Sequence, residues 1–187
     1  MSGPPINDRQ RFWLRHYACR AFQHAIESCH FLLRYGVHPD SPLYYPLMTA
    51  AYVTYSRPFM PNYGVGRLDD SFVPAERLAD HQHLMDLRSR FYAHADATQK
   101  PDLGQPSNAI IVFAKAGQVE FALHEMKTLP PGLPLIAEMA RILLQKAHDE
   151  AEEIASKIGL RGTIPDGVYH LNLADEPAPL LIPAKET

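Results

Sequence analysis

Apolar residues recur at intervals of three and four from Leu14 through Ala18, Ala21, Phe22, Ala25, Ile26, Cys29, Leu32 and Leu33. That spacing puts them on one wide stripe of a helix. It predicts a helix to about Tyr35, with Asn7 or Asp8 as its cap and Gly36 as its C-terminal stop. A second helix is expected from about Leu43 through Met48, Ala51, Tyr52 and Tyr55 to Arg57. Asp40 and Ser41 are its cap candidates, Pro42 falls in its first turn, and Pro58 ends it. If buried, Tyr44, Tyr45, Tyr52 and Tyr55 need partners for their hydroxyls. A third helix starts near Pro74 and Ala75, carries Leu78, Leu84, Met85, Leu87 and Phe91, and reaches about Asp96. A fourth runs from about Leu135 to Ile158 on a stripe of Ile136, Met139, Leu143, Ala147, Ala151 and Ile154, and Gly159 closes it.

The connections differ in character. Residues 58 to 73 hold prolines and glycines in a loop of about 15 residues, long enough to suspect a lid or an ordered surface loop. Ile110–Ala114 and Val119–Leu123 flank a short glycine-containing turn and predict a β-hairpin over about 108–124. A lone hairpin is marginal, so it is expected to pack on the helices or on a partner chain. Pro130, Pro131, Gly132 and Pro134 mark a hard boundary before the last helix. From Leu160 the pattern turns extended and proline-punctuated, with Tyr169–Leu173 and Leu180–Ile182 as apolar runs. The organisation expected is a flexible lead over 1–7, a mainly α domain over 8–159, and an extended tail over 160–187 packed on that domain or on a second subunit.

Composition narrows the class. A chain of 187 residues with 46% apolar and 21% charged residues suits one soluble globular domain with an extension. A formal charge of −3 gives no global electrostatic case for nucleic acid, so any such case is local. Arg9, Arg11, Arg15 and Arg20 cluster near the start, which a solvated helix face explains equally well. Cys19 and Cys29 lie ten positions apart on one helix, about 15 Å along its axis, too far to bridge. Both are read as small core residues. Two lone thiols suit a reducing compartment. With no signal-peptide pattern at the start and no apolar stretch near 20 residues, the expectation is a cytoplasmic protein without membrane association.

The commonest nucleotide-binding, zinc-binding and nucleophile motifs are absent from the sequence. His16, Arg20 and His24 run down one helix face, but the arginine between the histidines argues for a polar surface row rather than a metal site. His81 and His83 are two apart, make a poor metal pair, and are read as surface residues. The acidic segment around His148–Glu153 has no matching ligand set on a second helix and reads as a solvated face. Neither a metal nor a cofactor is expected.

One stretch does carry chemistry: Leu87-Arg88-Ser89-Arg90-Phe91-Tyr92-Ala93-His94-Ala95-Asp96. Arginine binds phosphate oxygens through a planar fork, and histidine exchanges protons near neutral pH. Together they suit metal-free work on a phosphodiester. On a regular helix Arg90 and His94 share a face, whereas Arg88 and His94 sit about 120° apart and roughly 9 Å along the axis. A two-fold dimer pairing two such helix ends could close a compact site. The helix dipole, which favours positive charge in a last turn, accounts for the same residues without any chemistry.

The arginine, the polar Ser89 and the spacing to His94 resemble the motif of the HEPN superfamily (higher eukaryote and prokaryote nucleotide-binding helical domains). The ending Tyr92-Ala93-His94-Ala95-Asp96 and the Tyr55-Ser56-Arg57-Pro58-Phe59 segment look like an uncharacterised bacterial subgroup that includes relatives of abortive-infection proteins. The resemblance covers residues 43 to 97 best. It implies a four-helix up-and-down bundle, with the hairpin inserted before the last long helix, and a homodimer with two Arg88/His94 sets facing one cleft. The implied activity is metal-independent RNA cleavage of a toxin or antiphage type, with an antitoxin protein as a partner. Arg88 and His94 are then catalytic, Arg90 and Tyr92 contact phosphate or RNA, and Tyr55, Arg57 and Asp96 support them. The alternative is a non-catalytic HEPN-like homodimer that binds RNA or a protein partner.

Overall fold

The computed structural model describes residues 6–62, 64–92, 110–115, 118–123, 128, 130–162, 164–174 and 177–184, with backbone alone at 110, 111, 122 and 123. Among them are four α-helices and two small antiparallel sheets. The protein is mainly helical.

Helix α1 (Asp8–Arg34) begins as its sequence predicts. Asn7 accepts from the Gln10 backbone N–H at 2.8 Å, and the Gln10 side chain accepts from the Asn7 N–H at 2.9 Å. This reciprocal box satisfies two donors that a helix start otherwise leaves unmet. At the far end Gly36 takes a positive φ of 55°. There Val37 N–H reaches Leu32 O and Gly36 N–H reaches Leu33 O, which closes the last carbonyls. The apolar stripe is narrower than expected, since Leu33 is exposed while Leu14, Ala18, Phe22, Ala25, Cys29 and Leu32 are buried.

Helix α4 (Leu133–Lys157) lies along α1. Asp8 pairs with Lys157 and Arg15 with Glu150, both at 2.6 Å, while His30 meets Arg141, so the two helices run in opposite directions. Alanines on both facing stripes, Ala18 and Ala25 against Ala140 and Ala147, let the backbones approach closely. The helix starts two residues before the expected Leu135. Pro134 falls in the first turn, where its missing N–H costs nothing.

Helix α2 (Tyr44–Ser56) has no side-chain cap; Ser41 instead accepts from Leu43 N–H in the turn before it. Pro46 is its third residue, again among the N–H groups with no intrahelical partner. What fixes α2 is its buried face of Tyr44, Met48, Ala51, Tyr52 and Tyr55. The Tyr44 hydroxyl donates to the Thr128 carbonyl at 2.6 Å. The Tyr52 hydroxyl shares a hydrogen bond with Thr128 Oγ1 at 2.8 Å. Burial pushes the Tyr52 phenol well above its ordinary pKa, so it stays protonated.

The described residues of the 58–73 segment pack on the core through Phe59, Val65, Leu68, Phe72 and Val73, all buried. The segment leads into α3 (Leu78–Leu87), which passes directly into a five-residue π-helical turn, Arg88–Tyr92. The rest of the expected third helix lies outside the described residues. Strands β1 (Ile110–Lys115) and β2 (Gln118–Leu123) pair antiparallel with Val112 opposite Phe121 and Ala114 opposite Val119, as the hairpin expectation has it. Their described side chains are exposed, Phe121 to 71%.

The tail folds back on itself, β3 (Tyr169–Leu171) against β4 (Leu181–Pro183). It docks on the start of α1. Arg9, one of the cluster that a basic patch or a solvated face explains equally well, is instead buried at 9% exposure. Its guanidinium donates to the carbonyls of Asn172, Ala174, Ala178 and Pro179. Asn7 Nδ2 donates to Leu173 O at 3.0 Å.

Thr128→Val removes the hydroxyl that serves two buried phenols, Tyr52 and Tyr92. Stripping partners from buried polar groups costs about 1–3 kcal/mol. The urea midpoint is expected to fall accordingly, with the m-value unchanged.

Candidate nucleic-acid interface at the end of α3

The two arginines of the chemistry-bearing stretch lie in the π-helical turn. Such wider turns recur at functional sites because they re-aim side chains relative to the helix before them. Arg88 is half-buried, and its Nε is buried with no hydrogen-bond partner among the described residues. A guanidinium N–H left unmet in a buried position is a donor waiting for an acceptor. Arg90 is exposed and donates to Asp86 Oδ2 at 3.2 Å, one turn back. Such exposed pairs are weak and exchange readily for another anion.

Tyr92 takes a different place from the one expected of an RNA contact. Its ring stacks on Tyr52 at 4.3 Å between centroids, it is 6% exposed, and its hydroxyl bonds Thr128 Oγ1 at 2.9 Å. Burial pushes its pKa up to about 12. In this position the ring serves the core and leaves no face for a base. His94 and Asp96 lie outside the described residues.

Tyr55 and Arg57 sit at the end of α2. Arg57 is exposed and has no ion pair among the described residues. Tyr55 is fully buried, and its hydroxyl meets His81 Nδ1 at 2.9 Å. The Phe59 ring lies 4.3 Å from the His81 ring. His81, expected at the surface, is therefore a core residue at 1% exposure, while His83 is exposed as expected. The signal was in the spacing. Leu78, His81, Leu84, Met85 and Arg88 recur at three and four, so His81 lies within the inward stripe of α3 that leads to Arg88.

His81 also floors an open groove of about 660 Å³. Phe59, Met60 and Met85 give it apolar walls, and Arg67, Asp70 and Asp86 stand in its lining. His81 Nε2 faces Asp70 Oδ1 across 3.9 Å, beyond hydrogen-bond reach. Met85 and Arg88 are three residues apart and share a side of the helix, so the Met85 wall of the groove lies one turn before Arg88. Asp69 is not free for a ligand. Ser71 donates to its carboxylate from both hydroxyl and backbone, which holds Asp69 below its ordinary pKa.

Comparison with protein-family models, with curated proteins and with solved structures finds no match. No helix among the described residues is long and apolar enough to cross a membrane.

The site's electrostatics give a pH test. Desolvation by burial lowers the His81 pKa, and Asp70 offsets this only in part. The unfolded chain therefore takes up the proton first, and the stability contributed by neutral His81 is complete above pH 6.5 and lost as pH falls through the folded value. The melting temperature is expected to drop between about pH 7 and pH 5 more steeply in the wild type than in His81→Gln. His16 is shifted the same way by its own burial but is common to both proteins, so the difference in slope reports His81.

Proposed function

We propose that this chain is a HEPN-like homodimer and a metal-independent endoribonuclease, with Arg88 and His94 of each subunit at a shared cleft. The observation that carries the reading is the buried Arg88 Nε, without a hydrogen-bond partner among the described residues, in a π-helical turn six residues before His94. A phosphate oxygen supplies the acceptor this donor lacks. The mainly helical core, with antiparallel α1 and α4 and a hairpin before the last helix, is compatible with the bundle that the resemblance implies.

In the reaction, the 2′-oxygen of one nucleotide attacks the adjacent phosphorus and the 5′-oxygen of the next leaves. His94 takes the 2′-hydroxyl proton while water protonates the leaving 5′-oxygen, or His94 protonates that oxygen while water takes the 2′-hydroxyl proton. Arg88 neutralises charge that grows on the non-bridging oxygens. Arg90, released from Asp86, adds a phosphate contact. The Tyr55–His81 bond holds α3 against α2 and so fixes the turn that carries Arg88. A toxin or antiphage role, with an antitoxin as partner, follows from the same resemblance.

A second reading is a non-catalytic HEPN-like dimer that binds RNA or a protein. It is favoured by the commitment of Tyr92 and Tyr55 to the core, which leaves the turn with fewer groups for substrate.

Purified protein incubated with labelled RNA in chelator is expected to release fragments ending in 2′,3′-cyclic phosphate. Arg88→Ala and His94→Ala are each expected to slow this by about 10²-fold or more. Cleavage at the wild-type rate by His94→Ala removes His94 from the mechanism, and no cleavage by the wild type rejects the nuclease assignment. RNA retained without cleavage, and lost in Arg88→Ala, selects the second reading.

A further inference from the structure

The groove beside Arg88 has the parts of a base-reading pocket, an inference that rests on the RNA-handling reading above. His81 is almost wholly buried, and its Nδ1 is occupied by the Tyr55 hydroxyl. The Asp70 carboxylate on the other side of the ring favours the tautomer with hydrogen on Nε2. Tyr55 then donates to Nδ1, and Nε2–H is presented to the groove as a fixed donor. Beside it Asp70 is well exposed and makes no hydrogen bond among the described side chains, so it offers two acceptor oxygens. Arg67 lines the same groove, is exposed, and has no ion pair among the described residues.

A donor next to a two-oxygen acceptor is a chemical complement. On the Watson–Crick edge of guanine an acceptor, O6, is followed by two donors, N1–H and the N2 amine. O6 can take the His81 Nε2–H, and the two donors can meet the two oxygens of one carboxylate. Adenine and cytosine place a ring-nitrogen lone pair where the carboxylate needs a hydrogen, and uracil offers it one donor. Single-stranded RNA is commonly read on this edge, with the base splayed from its neighbours. The apolar walls from Phe59, Met60 and Met85 suit the flat faces of a purine. The groove volume lies within the ordinary range for small-ligand sites.

We propose that this groove binds an unstacked guanine of single-stranded RNA, with Asp70 and His81 reading its Watson–Crick edge and Arg67 holding its phosphate. His81 lies two helical turns and Met85 one turn before Arg88, so the chain of an RNA bound in the groove can run along α3 toward the proposed cleavage site.

Calorimetric titration of the full-length chain with nucleoside 5′-monophosphates tests this without any turnover. GMP is expected to bind about tenfold or more tightly than AMP, CMP or UMP, the scale of a good bidentate base contact. Inosine monophosphate, which lacks the N2 amine, is expected to bind more weakly than GMP. Asp70→Asn is expected to abolish the preference, and Arg67→Ala to weaken GMP but not guanosine. Asp70 and Arg67 are exposed, so both variants are expected to keep the wild-type circular dichroism. Equal binding of the four nucleotides, no GMP binding at millimolar concentration, or an unaltered preference in Asp70→Asn overturns the pocket. Guanine-selective binding by a protein that cleaves no RNA upholds the pocket and removes only the nuclease. Cleavage without nucleotide discrimination does the reverse.

Discussion

Three phenol hydroxyls on α2 impose the constraint around which the other elements are arranged. Tyr44, Tyr52 and Tyr55 are fully or almost fully buried, and each hydroxyl must find a partner there or cost the fold its desolvation. The partners come from distant parts of the chain. Thr128, between the hairpin and α4, answers Tyr44 and Tyr52, and His81 on α3 answers Tyr55. Since α2 has no side-chain cap of its own, its place is set by these bonds and by the packing around them. One short helix thereby fixes where α3 lies and where the chain returns before α4.

The same constraint reaches the chemistry-bearing turn. Tyr92 closes the tyrosine cluster by stacking on Tyr52 and sharing Thr128 Oγ1. Arg88 lies at the start of that turn, and His81 lies two helical turns before it on the same stripe. Both ends of the Arg88 segment are thus anchored to α2, one through an imidazole and one through a phenol. The backbone that carries Arg88 is therefore fixed on both sides of it.

Periodicity made the two long helices legible. Their stripes bury against each other, their caps are local, and nothing remote competes with either signal. Asn7 caps the start of α1, and Gly36 ends it with its N–H on Leu33 O, at the positions the sequence offers for cap and stop. The hairpin was legible for the same reason, since its pairing is between neighbours in the chain. The early start of α4 was not, because Pro134 reads as a breaker until it is recognised as a first-turn residue. The burial of His81, Arg9 and Tyr92 is not legible in the local pattern, and the cause is common to them. Each is a polar residue whose burial depends on a partner far away in the chain: Tyr55, the tail carbonyls and Thr128. The Leu84, Met85 and Arg88 spacing did point to an inward His81, but a polar residue type outweighed it.

Arg9 grips the tail in a manner with its own evolutionary consequence. Its guanidinium meets main-chain carbonyls of Asn172, Ala174, Ala178 and Pro179, and no tail side chain takes part in those bonds. Every amino acid brings a carbonyl, so the clasp ignores which residues the tail contains provided its path is kept. Substitutions can accumulate freely along that strip, whereas the arginine, whose fork no other side chain reproduces, is held in place. Among distant descendants of this chain, a fixed Arg9 would face a tail of widely differing sequence.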